Sequence, residues 1–376
     1  MKKPPLIWTN ILIFTSTLLA ASVLVPWYEL TIGFDAFVII AAVISLFYCG
    51  MSITAGYHRL WSHKTYQAHW SVRLFFAIGG AFAMQNSALH WSSDHRIHHK
   101  FVDNNEKDPY SAKKGFWFSH IGWMLRDYHP ENYNDYSNCR DLQRDPIVMW
   151  QHKYYLLLTI ATNVGFSAFI GWLSNEMLAS FIAVGVARLV LSHHFTFFIN
   201  SWAHMWGSQP YTDKNTAKDN ALLAIFTHGE GYHNFHHIFE MDYRNGIKWY
   251  HYDPTKWLIK GLSLLGLASG LRKTPQLKIE QAKLEMILKR STQRLEQRHD
   301  GQEVHLEELK QRLHEEYDEL LAKLTAFYSI KKRLFDDKKK QLLQDFEKLE
   351  LKAQLNDLKN SLAQQRQSWL AMASYA

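Results

Sequence analysis

Four apolar runs decide what this chain can fold into. Residues 6–28, 30–56, 156–173 and 177–199 contain one Asp and one Arg between them. Each is close to the roughly 20 residues that a helix needs to cross a hydrocarbon core. In lipid every backbone N–H and C=O must be paired within the segment, so these runs are expected to be helices. The fold class that follows is an all-α integral membrane protein of four transmembrane helices. They form two hairpins beneath a cytosolic helical cap, and a coiled-coil-like helical extension follows at the C-terminal side.

Mean hydropathy over the 376 residues is only −0.26, which taken alone would describe a soluble protein. The average conceals two different materials that meet near Pro275. Residues 1–274 hold the apolar runs, and residues 275–376 are rich in Lys, Glu, Gln and Arg with recurring Leu. Two domains are therefore expected. Lys2, Lys3 and the stretch LLAAS imitate a signal peptide, but a second apolar run follows at once, so the first run reads as a retained span. The joints PWYEL and LSNEM, inside the two pairs of spans, carry no Lys or Arg. The basic residues sit in the long loops, which places those loops and both termini on the cytoplasmic side. The setting is a bacterial inner membrane, or the endoplasmic reticulum in a eukaryote.

Two shorter apolar stretches read differently. Leu74–Leu89 carries Gln85 and Asn86 and reads as re-entrant or buried against the bundle. Trp257–Leu271 reads as an interfacial amphipathic helix. In the tail, Leu306, Leu313, Leu320, Phe327 and Leu334 recur every seven residues, with Leu309, Tyr317 and Leu324 on neighbouring positions. That is a coiled-coil-like seam. HDG, His299–Gly301, breaks it into two arms, giving an antiparallel hairpin or a self-associating rod. The net charge of +7 comes with no nucleic-acid motif, and basic residues flanking spans account for it. Cys49 and Cys139 offer neither a disulfide framework nor a zinc-finger spacing.

The chain has 21 histidines, and nine of them form a pattern. HRLWSH carries His58 and His63, HRIHH carries His95, His98 and His99, and HNFHH carries His233, His236 and His237. NSWAH adds His204. On a helix, residues three and four apart share a face, so each triplet aims several imidazoles at one place. His58 and His63, five apart, align less closely. Neutral imidazole ligates divalent iron, zinc and copper, and this many ligands exceed what one ion holds. The count points to two metals. A zinc hydrolase would need three ligands, an open position and a nearby base, and no HExxH motif is present. Two irons beside a bilayer suit O₂ activation against an unactivated C–H bond, with an apolar channel holding a hydrocarbon chain. His69, His90, His120, His129, His152, His193, His194 and His251 read as interface or supporting groups. His228 is a candidate outer partner of the metal ligands.

With HRLWSH, DHRIHHK and GEGYHNFHH in this order, and with MQNSALHW, GFWFSHIGW and NSWAH between them, the chain resembles the membrane-bound acyl-CoA desaturases of the stearoyl-CoA Δ9-desaturase type, from about Ile40 to Leu271. The resemblance implies a mushroom-shaped four-span fold and two irons held by the nine histidines, with Asn200 acting through a water. It implies an acyl tunnel kinked at Gln85, Trp91, Thr196 and Phe197, the last replacing the family's usual tryptophan, and Asn86 belongs to the same substrate-binding set. Arg188 matches an arginine near the tunnel. Asp94, Lys113 and Lys114 match the region that meets a CoA head group. Ser93 stands where the animal enzymes carry arginine, so an acyl-lipid substrate stays open beside acyl-CoA.

The expected activity is the insertion of a cis double bond, at Δ9, into a saturated acyl chain, with O₂ as co-substrate. No HPGG haem motif and no flavin or nicotinamide fingerprint is present. Electrons are therefore expected from a separate ferredoxin, cytochrome b5 or reductase. Two other readings remain: a di-iron hydroxylase of an alkane, sterol or acyl chain, and a metal-binding membrane scaffold that recruits partners, or itself, through the tail.

Overall fold

The computed structural model describes residues 3–131, 133–298, 303–340 and 344–375. These residues are mainly helical with almost no sheet, and they fall into two compact units: Met1–Gln209 with Lys214–Lys273, and Pro210–Asp213 with Thr274–Ala376.

In the first unit, four helices are long and apolar enough to cross a membrane. They are α1 (Trp8–Thr31), α2 (Ala36–Ser62), and, further along, Tyr155–Ser174 and Met177–Met205. Between the pairs lie α3 (Trp70–Ala83), α4 (Ala88–Phe101), α5 (Phe116–His120) and α6 (Pro146–Lys153), which make the latter two spans α7 and α8. The short helices α9 (Ala221–Phe226), α10 (His233–Ile238) and α11 (Pro254–Leu264) complete the unit.

Local chemistry sets many of these boundaries. Asp35 caps α2 by accepting from Phe37 N, Ser87 caps α4 by accepting from His90 N, and Asp145 caps α6 by accepting from Ile147 N and Val148 N, with Pro146 opening the helix. α3 ends on Met84 in the left-handed region, φ 53°, so the Leu74–Leu89 stretch holds the later part of this 14-residue helix, a sharp turn and the start of α4. α3 lies close against α2 because Gly80 has no Cβ: one would come within 2.2 Å of the Tyr57 ring. α11 ends at Leu264, before the end of the Trp257–Leu271 stretch, and Gly266 at φ 72° turns the chain.

α8 is the centre of the bundle, with α1, α2 and α7 all packed on it. Core side chains include Val38, Ile53, Tyr57, Phe76, Phe82, Ile170, Ile182 and Val184. The outer faces stay apolar and open, with Leu12, Leu19, Val23, Ile40, Ile44, Leu156 and Phe169 all exposed, as a lipid-facing surface requires. α2 continues past the end of its apolar run. Ser52–Ser62 is wound with i→i−5 hydrogen bonds, as in His63 N to His58 O at 3.1 Å. A two-residue antiparallel ladder, β1 (Gln67–Ala68) with β2 (Ala268–Ser269), ties the chain just after His63 to the segment beyond α11.

The second unit holds α12 (Gln276–Arg298), α13 (Glu303–Lys340) and α14 (Asp345–Tyr375). Among the described residues the tail thus has three helices where the sequence suggested two arms. The His299–Gly301 break lies outside the described residues. Leu313, Leu320 and Leu324 of the heptad seam are buried with Leu284, Leu288, Leu295, Trp369 and Ala373, so the seam packs within the chain. Ser291 Oγ and Arg294 Nη2 both donate to Ala373 O, at 2.8 and 2.9 Å, joining α12 to α14.

Candidate metal centre

α2 delivers His58 and His63 on its last turns, α4 delivers His95, His98 and His99, α8 delivers His204 near its end, and α10 delivers His233, His236 and His237. The i→i−5 winding resolves the awkward five-residue interval between His58 and His63: they sit one wide turn apart, with ring centroids 4.8 Å from each other.

The nine imidazoles converge as two groups. His58, His63, His95, His99 and His236 form one, and His98, His204, His233 and His237 the other; within each group the potential ligand atoms lie within 4.8 Å of one another. In the first group Nε2 faces Nε2 at 3.0 Å for His58–His236, 2.8 Å for His63–His95 and 3.0 Å for His236–His99. In the second, His233 Nε2 lies 3.1 Å from His204 Nε2 and 3.0 Å from His237 Nε2.

The outer ring nitrogens decide how these contacts must be read. His98 Nδ1–H donates to Asp108 Oδ1 at 2.8 Å. His204 Nδ1–H donates to Thr216 Oγ1 at 2.8 Å, whose hydroxyl in turn donates to Asp103 Oδ1 at 2.6 Å. His58 Nδ1 faces Glu230 Oε2 at 2.9 Å, and His99 Nδ1 faces Glu240 Oε2 at 3.2 Å. An anion at Nδ1 fixes the proton there and leaves a bare lone pair on Nε2. His236 Nε2 then meets the lone pairs of both His58 and His99, and its single proton can serve only one of them. A cation between the rings satisfies every lone pair at once. The donor set therefore fits a metal ion in each group.

Burial favours the neutral, ligating form of these rings. It pushes His63, His95, His233, His236 and His237 well below the usual imidazole range, and neighbouring imidazoles push in the same direction. His99 is lowered by burial to about 4. Glu230 is fully buried, which would raise its carboxyl; His58 and Arg59 hold it down at about 2. Arg59 lies between two buried carboxylates, with Nη2 at 3.0 Å from Glu230 Oε1 and 3.0 Å from Asp253 Oδ1. Its Nη1 also donates to Tyr243 O at 2.8 Å.

The remaining candidate residues are distributed around this centre. Trp91 stacks on His95 at 4.8 Å and meets His58 edge-on at 6.1 Å, forming one wall of the five-histidine group. Gln85 Nε2 donates to Thr196 Oγ1 at 2.8 Å, bridging the turn after α3 to α8. Thr196 also lines a narrow cavity with Leu46, Gly50, Thr54, Ile199 and Phe226. Phe197, one residue on, turns the other way and packs against Phe14 and His193. Asn86 shapes the turn at φ 72°: its N–H donates to Tyr155 Oη and its carbonyl accepts from Tyr57 Oη. Asn200 closes the straight part of α8, four residues before His204.

Arg188 is buried among backbone and amide acceptors. It donates to Phe82 O at 2.8 Å, Val184 O at 2.9 Å and Asn163 Oδ1 at 2.7 Å, and it stacks on the Phe82 ring at 3.9 Å. It thereby caps the C-terminal turn of α3. Asp94 faces His90 Nε2 at 3.6 Å, while Lys113 and Lys114 are exposed, Lys114 over the Phe118 ring. His228 packs on Phe47, and its ring fills the space left by Gly50. Sequence reasoning left Asp103, Asp108, Thr216 and Glu240 unassigned. Glu230 was visible inside GEGYHNFHH without a role, and Asp108, ten residues after His98, gave no local signal.

The match with known proteins agrees with this layout. The model of the fatty acid desaturase family fits residues 7–266. Acyl-CoA desaturase 1 of Saccharomyces cerevisiae is 45% identical over 263 residues, covering 69% of this chain and 51% of its own length. A probable acyl-CoA desaturase of Schizosaccharomyces pombe is 46% identical over 245 residues, covering 64% and 50%. The acyl-CoA Delta12-desaturase of Acheta domesticus is 39% identical over 282 residues, covering 72% and 76%. The chain thus spans about half the length of the two fungal relatives. A family match that takes in every histidine of both groups, together with these identities, makes the chain a member of the fatty acid desaturase family.

Proposed function

We propose that the chain is a fatty acyl desaturase that removes two hydrogens from a saturated acyl chain, at C9–C10, using O₂ and two electrons from a separate carrier. The observation that carries this reading is the convergence of imidazole Nε2 atoms into a group of five and a group of four, both backed by carboxylates. His58, His63, His95, His99 and His236 would hold one iron and His98, His204, His233 and His237 the other, and Asn200 would assist one of the two through a water. Two bound irons supply the reduction of O₂ to two waters, with two electrons from the carrier and two from the CH₂–CH₂ unit that becomes CH=CH.

The chain's own residues place the substrate and keep it dry. Trp91 closes one side of the five-histidine group. The Gln85–Thr196 bridge fixes the turn after α3 against α8, where the narrow cavity passes, and this is where the acyl chain bends. Lys113 and Lys114 suit the phosphates of a CoA or lipid head group, and Asp94 belongs to the same proposed head-group region. The cap that carries the histidines faces the cytoplasm, where an electron carrier such as a ferredoxin, a cytochrome b5 or a reductase has access. Relatives named for Δ12 and for Δ9 insertion both match the chain; the Δ9 assignment follows the resemblance to the stearoyl-CoA Δ9-desaturase type.

The test is lipid profiling of a host expressing the chain and its His98→Ala variant. A new cis double bond at C9 that disappears in H98A supports the proposal. An added hydroxyl points to a hydroxylase, bound metal without O₂ consumption points to a scaffold, and desaturation unchanged in H98A overturns the ligand assignment.

A further inference from the structure

The two histidine groups differ in what stands behind them. In the four-histidine group the outer carboxylates are buried: Asp108 at His98, and Asp103 behind His204 through the half-buried Thr216. The five-histidine group has one buried anion, Glu230 at His58, and one that reaches solvent. That second anion is Glu240, whose side chain is 47% exposed while the rings it faces, His99 and His63, are 6% and 5% exposed. Its Oε2 lies 3.2 Å from His99 Nδ1 and 3.9 Å from His63 Nδ1. Both contacts are to the outer nitrogens, so Glu240 lies behind the rings and is no ligand.

Its position in the chain gives it leverage. α10 supplies His233, His236 and His237, and Phe239 N closes the helix on Phe235 O at 2.9 Å. Glu240 follows at once, in a turn held by Asp242 N donating to Phe239 O at 2.9 Å. One short segment therefore carries three imidazoles and also reaches two more, from α2 and α4. From this geometry we infer that Glu240 is a positioning residue for the five-histidine site. It fixes the proton of His99 on Nδ1, turns the Nε2 atoms of His99 and His63 inward, and forms the site's solvent-facing edge. The inference rests on the dinuclear reading of the two groups.

Removing an anion behind a metal-bound imidazole costs about 10–100-fold in metal affinity. Because only one group is affected, loss should stop near half of the bound iron. The experiment uses full-length wild type, E240A, E240Q and E240D, purified in detergent and loaded with ⁵⁷Fe(II). Iron per chain is followed over time against a chelator, Mössbauer spectra are recorded, and helix content is checked by circular dichroism. The expected result is biphasic release in E240A, with one of two equal iron populations leaving at least about tenfold faster than in wild type. That population also shows an altered quadrupole doublet. E240Q, whose amide oxygen still accepts from His99 but carries no charge, falls between, and E240D restores part of the wild-type rate. If E240A and E240Q keep wild-type helix content, release rate and spectrum, the role of Glu240 is overturned. If iron-loaded wild type shows no stoichiometric iron, the dinuclear reading fails instead, a result distinct from the first.

Discussion

Asp108 Oδ1 accepts a hydrogen bond from His98 Nδ1 at 2.8 Å, and its other oxygen accepts from Asp103 N at 3.0 Å. Both residues are buried, so the carboxylate fixes one imidazole and the loop beside it together. Asp108→Ala would leave the His98 N–H and the Asp103 N–H without acceptors in a dry site. Its expected effect is about a 10–100-fold loss of metal affinity in the four-histidine group. Asp108→Asn keeps an acceptor for His98 but turns an amide N–H₂ toward Asp103 N, so its loss should be smaller. Metal analysis after dialysis against graded chelator measures both.

The Arg59 guanidinium is buried between Glu230 and Asp253, and Asn245 Nδ2 donates at 2.7 Å to Glu230 Oε2, the oxygen that also faces His58 Nδ1. Breaking a buried pair from one side leaves an uncompensated charge and costs about 3–5 kcal/mol. Arg59→Met strands two carboxylates and should prevent accumulation of folded protein. Arg59→Lys should rescue only in part, since one ammonium cannot supply the guanidinium's fork to two acceptors. Glu230→Gln removes a single anion and should be milder than Arg59→Met. Thermal denaturation in detergent, read by size-exclusion fluorescence, orders the three.

The resemblance placed Arg188 near the acyl tunnel, and a cation inside a span is costly. Its contacts lead to a structural expectation: Nε, Nη1 and Nη2 each donate within the protein, to Val184 O, Phe82 O and Asn163 Oδ1. A hydrogen bond to a charged group contributes about 1.5–3 kcal/mol. Asn163→Ala should lower detergent stability by about that much while leaving KM for an acyl substrate near wild type. A raised KM at unchanged melting temperature would assign Arg188 to the substrate instead.

What the sequence made legible follows from which interactions are local. His95, His98 and His99 share a helical face, as do His233, His236 and His237, so three- and four-residue spacings sufficed for both triplets. The four spans were legible because lipid demands long apolar helices. The end of α2 was not: hydropathy stops at Gly56, but the backbone runs on to Ser62 in a wider winding that brings His58 and His63 to one face. Asp108, Thr216, Glu230 and Glu240 were hidden for another reason. Each meets a histidine carried on a different element, or across a turn, so its role exists only once the chain has folded. The separate helix α14 escaped because the seven-residue repeat was read only as far as Leu334, ahead of the helix start at Asp345.

Thr196 Oγ1 accepts from Gln85 Nε2 at 2.8 Å beside the narrow cavity. Thr196→Val keeps the shape and removes the acceptor, leaving Gln85 free to swing. A single neutral hydrogen bond contributes about 0.5–1.5 kcal/mol, so the fold should survive. The expected change is in where the acyl chain is held: a mixed set of double-bond positions, or a lower yield of the main product. Mass spectrometry of derivatised fatty acids detects either, and a wild-type product pattern would show that the bridge does not set the register.

Trp369 is the best-buried large side chain of the tail, 0% exposed, with Nε1 donating to Leu313 O at 3.2 Å and the ring 5.9 Å from Tyr317. It packs with Leu284 and Leu288 of α12 and with Leu313 and Leu320 of α13, so one side chain holds three helices together. Trp369→Ala should cost about 3–5 kcal/mol, which for a three-helix unit is most of its stability. Trp369→Phe keeps most of the contact and loses one hydrogen bond, about 1 kcal/mol. Limited proteolysis of the full chain should then cut the tail of W369A rapidly, that of W369F slowly and that of wild type least. No histidine of either group lies in this unit, so iron per chain should stay the same in all three. If iron is lost along with tail order in W369A, the tail supports the metal centre and the two units are not independent.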